Sequence, residues 1–395
     1  MVAALRGLRT AAESLSPAAM QITRLAELAD PATCRRLVVK IGSSLLVGGE
    51  GVRRAWLEGL VRELAAARGR GQELIVVCSG AIALGAAKLG LDKGGRGSLA
   101  DAQAAAAVGQ IALSGLWAEL LGLHGLIAAQ LLLTLDDLED RRRYLNATAT
   151  LTRLLDAGAV PVINENDSVA TQEIRFGDND RLAARVAQAA GANAVLLLSD
   201  VDGLFDRNPA EPGATLLREV RGVTAEVHAM ASGGSSSGMG SGGMTSKLQA
   251  AEIAERAGIA LAIGSGLVEA PLARVCKGEI GTLFLPLRKA AARKAWLGGR
   301  LRLKGSLTVD AGAVTALGKG SSLLAAGISA VEGEFKRGDA VTVCGPGGAV
   351  IAHGLAEYDA ADCHKLLGRK SSEHAALLGY APRSAVVHRD QMEFL

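Results

Sequence analysis

Six short apolar runs punctuate the first two-thirds of the chain, at 37–41 (LVVKI), 73–78 (ELIVVC), 126–130, 160–164 (VPVIN), 194–199 (AVLLLS) and 259–263. Most are continuous rather than alternating, the pattern of strands buried on both faces of a mainly parallel sheet. Between them, stretches such as 55–68, 180–190 and 247–257 have the spacing and length of helices. The order predicts an α/β fold, a three-layer α/β/α sandwich with a mainly parallel sheet. In such sheets ligands sit beyond the carboxyl ends of the strands. The polar residues at those ends therefore carry the interest: Gly42-Ser43-Ser44, Ser79-Gly80, Asn164 to Asp167, and Asp200.

After about residue 285 the texture changes. A charged, Ala-rich segment leads into short alternating runs at 305–309, 327–331, 340–344 and 350–353, separated by Gly- and Asp-rich turns. This predicts a small, mainly β domain. Three units follow: an N-terminal extension over 1–34, lacking a strand pattern and open to disorder, a larger domain over 35–290, and the small domain over 303–385.

Composition narrows the possibilities. With 395 residues, 49% of them hydrophobic and 3% aromatic, two folded domains with aliphatic cores are expected. The net charge of +3 is too small for a general polyanion-coating role. The tail from Pro286 carries 15 Lys and Arg against 10 Asp and Glu, with five aromatics, a weak footprint for RNA. Five scattered cysteines without a CxxC pair point to a reducing, cytoplasmic compartment rather than a disulfide framework or a zinc site. The most apolar region, 108–135, is broken by Gln110, Ser114, Glu119, His124 and Gln130, so no membrane span is expected there.

Four segments could carry chemistry. Lys40 lies within an apolar strand, so its ammonium must meet a bound anion or reach solvent at the strand end. Ser79-Gly80-Ala81 forms a strand-to-helix turn that either holds a carboxylate or is simply a turn. Two acid and amide clusters, 164–167 (NEND) and 177–180 (GDND), stand in an otherwise apolar domain and suit recognition of an α-amino group, lysines or a metal. The Gly/Ser run 235–246 feeds a helix with Lys247 in its first turn, a physically sound grip for a nucleotide phosphate or else a flexible linker. Ser246 and Gln249 have capping-box spacing. Gly238, Gly240 and Gly243 match a dinucleotide fingerprint in spacing only, because no strand precedes them, and no GxxxxGK[ST] occurs.

In that order and spacing, VVKIGSSL, CSGAIALG, VPVINENDSVA, GDND, LLLSDVDGL and GGMTSKLQAA resemble the amino acid kinase family, and within it the branch that phosphorylates glutamate. The tail, with SLTVDAGA, GSSLLAAGI, FKRGD, IAHGL and AVVHRD, resembles a PUA domain. The resemblance implies transfer of the ATP γ-phosphoryl to the side-chain carboxylate of L-glutamate, with Mg²⁺ and with proline as an inhibitor. It implies Lys40, Asp180 and Lys247 as catalytic residues, and Ser79, Asp167 and Asn179 as glutamate ligands. Lys40, Ser199, Asp200, Ser241, Gly242, Gly243, Met244, Thr245, Ser246 and Lys247 would form the ATP site. A homo-oligomer, dimer or tetramer, is implied as well; the broken apolar stretch and the tail's small basic excess argue against a membrane or RNA as a partner. Cys78, Ser43, Ser199 and Ser241 stand where the family often has Thr, and Thr245-Ser246 inverts a usual Ser-Thr; all stay short and polar. The alternatives are another acceptor, such as aspartate, N-acetylglutamate or a nucleoside monophosphate, and an RNA-binding regulator built on the tail.

Overall fold

A computed structural model describes residues 21–48, 51–169, 178–231, 243–287, 303–383 and 385–394. The larger domain is built on β1 (Arg36–Ile41), β2 (Glu73–Cys78), β3 (Ala128–Leu133), β4 (Val160–Glu165), β5 (Ala194–Ser199), β6 (Glu219–Arg221), β7 (Ala260–Ser265) and β8 (Thr282–Leu285). They form one sheet in the order β3-β4-β2-β1-β5-β7-β8-β6. The first six of that order run parallel, while β8 is antiparallel to β7 and carries β6 parallel to itself. The observed β3 begins two residues later than expected and runs through Leu133.

Alternation along β1 shows why the apolar runs are continuous. Leu37, Val39 and Ile41 enter a core with Leu57, Leu60 and Leu64 of α1 (Arg54–Gly69). Val38 enters the opposite core, with Leu151 of α4 (Arg141–Asp156), Leu182 and Val186 of α5 (Asp178–Ala190) and Leu248 of α6 (Met244–Arg256). Period-two geometry puts Lys40 on the Val38 side, facing α5. The strand order reverses at β1, whose neighbours are β2 and β5, so the crevice at its carboxyl end is the expected ligand position.

Two further helices shape that end. Strand β2 runs through Ser79 and Gly80 into α2 (Ala81–Leu89), with Gly80 at φ +113°, a conformation only glycine adopts cheaply. Helix α3 (Leu99–Gly122) crosses α2 with backbone touching backbone. A Cβ on Gly85 would sit 1.7 Å from the Ala105 carbonyl oxygen, and one on Gly109 1.7 Å from that of Ala81. By length and composition alone, α3 would pass for a membrane span. Its Leu113, Trp117, Leu120 and Leu121 are nevertheless buried in the domain core, which accounts for one side of that apolarity.

The extension expected over 1–34 is too long at its C-terminal end. From Ile22 the chain packs on the core: Ile22, Leu25, Leu28 and Cys34 are buried there. The buried Gln72 amide donates to the carbonyls of Leu28 and Cys34, both at 2.8 Å. Residues 1–20 lie outside the described residues.

The tail domain is a five-stranded mixed sheet of β9 (Gly305–Val309), β10 (Ile328–Gly333), β11 (Ala340–Cys344), β12 (Val350–Leu355) and β13 (Met392–Phe394) in the order β10-β9-β11-β12-β13. The end expected at 385 falls too early. Val386, Val387 and Met392 belong to its core, and β13 supplies the last strand, a segment too short and mixed to read as one from sequence. The two domains meet at α4, where Leu145 is buried with Ala340 and Leu355, and Arg337 donates to Asn146 at 2.5 Å.

Candidate active site

The site assembles at the carboxyl ends of β1, β2, β4 and β5. Lys40 sits one residue before the end of β1 and Asp180 in the first turn of α5, 140 positions apart in the chain, yet the Lys40 ammonium lies 2.5 Å from Asp180 Oδ1. Lys247, in the first turn of α6, lies 3.5 Å from Asp180 Oδ2. All three are buried, with Asp180 at 0% exposure. Two ammonium groups thus share one carboxylate, and the trio carries one net positive charge away from bulk water.

That arrangement governs the acid–base behaviour. Burial works against the Asp180 carboxylate, but Lys40, Lys247 and the Ser246 hydroxyl outweigh it and hold the group below its ordinary range. Burial pushes the Lys247 ammonium down; the Asp180 charge offsets part of this, and repulsion from Lys40 adds to it.

Ser246 departs from the expected capping box. Helix α6 starts earlier, at Met244 with Gly243 as its cap, so Ser246 already lies inside the first turn. Its hydroxyl donates instead to Asp180 Oδ2 at 2.8 Å, a charge-assisted bond stronger than a cap contact. Met244 and Thr245 share this first turn, with Thr245 exposed. Ser241 and Gly242 lie outside the described residues.

Beyond β5, Ser199 donates to Asp200 Oδ1 at 2.9 Å, and the Asp200 charge is close enough to favour the charged form of Lys247. This brings the Ser199–Asp200 pair to the same crevice.

The amide and acid clusters meet on the other side. Asn179 Nδ2 donates to Ser79 Oγ at 2.7 Å and to Asn164 Oδ1 at 3.2 Å. Asn164, buried at the end of β4, donates in turn to Gln110 Oε1 of α3 at 2.8 Å. Asp167 follows three residues later and is also buried. Arg96 lies close enough for the Asp167 charge to offset part of the desolvation that lowers its pKa. Ser79 and Asn179 thus meet directly, and Asn179 joins them to Lys40 and Lys247 through its chain neighbour Asp180.

Gln110 is the residue that sequence reasoning did not place, and the contact of Ser246 with Asp180 is the one it did not foresee. Gln110 registered only as a polar break in an apolar stretch; a lone amide on a helix packed against the strand ends was the available signal.

The model of the amino acid kinase family matches residues 35–265, and that of the PUA domain residues 305–378. The chain belongs to the amino acid kinase family. This kinase is 70% identical over 377 residues to a glutamate 5-kinase of Novosphingobium aromaticivorans, covering 95% of this chain and 100% of that one. It is 61% identical to a glutamate 5-kinase of Sphingopyxis alaskensis over 366 residues, covering 92% of this chain and 99% of the relative. A glutamate 5-kinase of Zymomonas mobilis is 54% identical over 367 residues, with 92% of each chain covered. Among solved structures, a carbamate kinase from Giardia lamblia bound to AMP-PNP is 14% identical and covers 64% of this kinase and 98% of its own chain, at a TM-score of 0.46. The parallel sheet of the kinase domain and the mainly β tail agree with the fold expected from sequence.

Proposed function

We propose that this kinase transfers the γ-phosphoryl group of ATP to the side-chain carboxylate of L-glutamate, giving ADP and L-glutamyl 5-phosphate, the first step of proline biosynthesis. The observation that carries the reading is the buried Lys40–Asp180–Lys247 trio beside an amide cluster, in a chain 70% identical to a glutamate 5-kinase.

The chemistry needs no protein nucleophile. The acceptor carboxylate is already ionised, so one O–P bond forms as the bond to the β-phosphate oxygen breaks, and no proton moves. What the protein must supply is charge and alignment. Lys40 and Lys247 would contact the transferring phosphoryl from two sides, with Asp180 holding both ammonium groups in place and Ser246 holding Asp180. Fixed charges in a dry site need no reorganisation as the reaction proceeds. Ser199, Asp200 and the start of α6, with Gly243, Met244, Thr245 and Ser246, would hold the nucleotide. Ser79, Asp167 and Asn179 would hold glutamate, Asp167 as partner of its α-ammonium.

Mg²⁺ fits this site as an ion carried by the nucleotide. Asp180 already spends its oxygens on Lys40, Lys247 and Ser246. No group of three or more His, Cys, Asp or Glu among the described residues could hold a metal alone. When bound, the ion would neutralise charge on the β- and γ-phosphates.

Proline presents the α-carboxylate and an ammonium without the side-chain acceptor, so it would compete with glutamate at Asp167 and Asn179. Assembly as a dimer or tetramer is supported by the exposed apolar side chain of Ile111, 78% accessible on α3, the helix that packs beside the free edge strand β3. A cytoplasmic location fits the five free cysteines. The weak basic excess of the tail supports a role for it other than RNA binding.

The test is formation of glutamyl hydroxamate from ATP, Mg²⁺, glutamate and hydroxylamine. Hydroxamate from glutamate, and not from aspartate or N-acetylglutamate, supports the reading; none from folded protein rejects it. The same assay with proline added should show an apparent rise in KM for glutamate. Light scattering of an Ile111→Lys variant, expected to be a smaller species than wild type, checks the assembly.

A further inference from the structure

The amide groups around Asn179 form an oriented series that begins outside the residues so far assigned. Amide oxygen and nitrogen have nearly the same shape, so only hydrogen-bond partners decide which end points where. Ser114 on α3 donates its hydroxyl proton to the Gln110 backbone carbonyl at 2.7 Å, so its oxygen is left to accept. Gln110 Nε2 donates to that oxygen at 3.2 Å. This turns Gln110 Oε1 toward Asn164, whose Nδ2 donates to it at 2.8 Å. Asn164 Oδ1 must then accept, and it does so from Asn179 Nδ2 at 3.2 Å. The second N–H of Asn179 goes to Ser79 Oγ at 2.7 Å.

Both N–H groups of Asn179 are therefore used, and its Oδ1 is buried without a partner among the described residues. An unmade hydrogen bond at a buried acceptor is costly, which favours a ligand that brings a donor. An α-ammonium is such a donor; neither a carboxylate nor a phosphate is. The close backbone approach of Gly109 to Ala81 fixes the stretch of α3 that carries Gln110 against the start of α2.

We propose that Gln110 is a positioning residue that fixes the amide orientation of Asn164 and Asn179, and so selects acceptors carrying an α-ammonium group. This rests on the assignment of Asn179 to the glutamate site. With no acceptor at position 110, both asparagines can turn over together and present an N–H to the ammonium.

The experiment uses the full-length enzyme and the hydroxamate assay, with glutarate, which lacks the amino group, as a competing ligand. Gln110→Met keeps the shape and removes the acceptor; Gln110→Glu keeps an acceptor oxygen. For Gln110→Met, loss of one oriented bond to a charged group predicts a rise in KM for glutamate of roughly tenfold, with KM for ATP within about twofold of wild type. The preference for glutamate over glutarate should shrink by the same factor. Gln110→Glu should restore both to within about threefold. Ser114→Ala, which frees Gln110 to turn, should shift the same two quantities in the same direction by a smaller factor, and it covers the case in which Gln110→Met does not fold. An Asn179→Ala control separates the outcomes. If it raises KM for glutamate while the Gln110 and Ser114 variants do not, the relay is wrong and the acceptor site stands. If none of them does, the acceptor site falls with the relay. Equal losses in Gln110→Met and Gln110→Glu, accompanied by lower Tm, would make Gln110 a merely structural residue and overturn the proposal.

Discussion

Replacing Asp180 by Asn removes one negative charge from a buried site and leaves two ammonium groups facing a neutral amide. At the observed 2.5 and 3.5 Å, the attractions lost are roughly 7 and roughly 5 kcal/mol at an effective dielectric constant of about 20. Most of this is offset, because the introduced amide would retain one acceptor oxygen and Lys247 can shed its proton. Breaking a buried ion pair from one side leaves a net cost of about 3–5 kcal/mol. The assay is urea unfolding at neutral pH, followed by tryptophan fluorescence, for which Trp56 and Trp117 report from the kinase domain. Asp180→Asn should lower the midpoint by the equivalent of that cost. Adding Lys40→Met removes one of the stranded charges, so the double variant should be more stable than Asp180→Asn alone by at least about 1 kcal/mol. A wild-type midpoint for Asp180→Asn, or purely additive losses in the double variant, would refute the shared-carboxylate reading.

The same group sets a pH dependence. The Asp180 pKa is depressed from its ordinary 3.8, so its contribution is complete above that value and is lost as pH falls through the depressed one. The stability gap between wild type and Asp180→Asn should therefore persist from about pH 7 to about pH 5 and narrow at pH values below about 4, read from urea midpoints. At the helix crossing, Gly109→Ala forces a methyl group into the Ala81 carbonyl, at a cost at or above the ~1–3 kcal/mol of ordinary overpacking. Gly115→Ala on the same helix meets nothing within 4 Å and should be neutral or stabilising; equal midpoints for the two variants would contradict the close approach. Gln72→Met strands the Leu28 and Cys34 carbonyls and should cost about 2 kcal/mol, with faster proteolysis near residue 30 as a second readout.

Much of the fold was legible because its signal is local. Continuous apolar runs such as 194–199 follow directly from cores on both faces of the sheet, and polar residues directly after them mark the crevice. What the sequence hid depends on contacts across the chain. The Ser246–Gln249 spacing suggests a cap, but the helix begins at Met244, and the Ser246 hydroxyl inside its first turn donates to Asp180, far away in sequence. Residues 22–34 lack a strand pattern and read as leader; Gln72, nearly forty residues on, ties them to the core. Strand β13 has three residues, too few for alternation to register, and exists because β12 offers it an edge. The juxtaposition of Lys40 and Lys247 was expected from family resemblance, since no spacing rule connects positions so far apart.

The central claim is that Lys40 and Lys247 grip one migrating phosphoryl group between nucleotide and acceptor. A crystal structure with a non-hydrolysable ATP analogue, Mg²⁺ and glutamate tests it most directly. The account predicts both Nζ atoms within hydrogen-bonding distance, about 2.7–3.2 Å, of γ-phosphate oxygens, with the glutamate side chain in line beyond them. A γ-phosphate bound away from either lysine, with Asp180 still pairing the two, would contradict it.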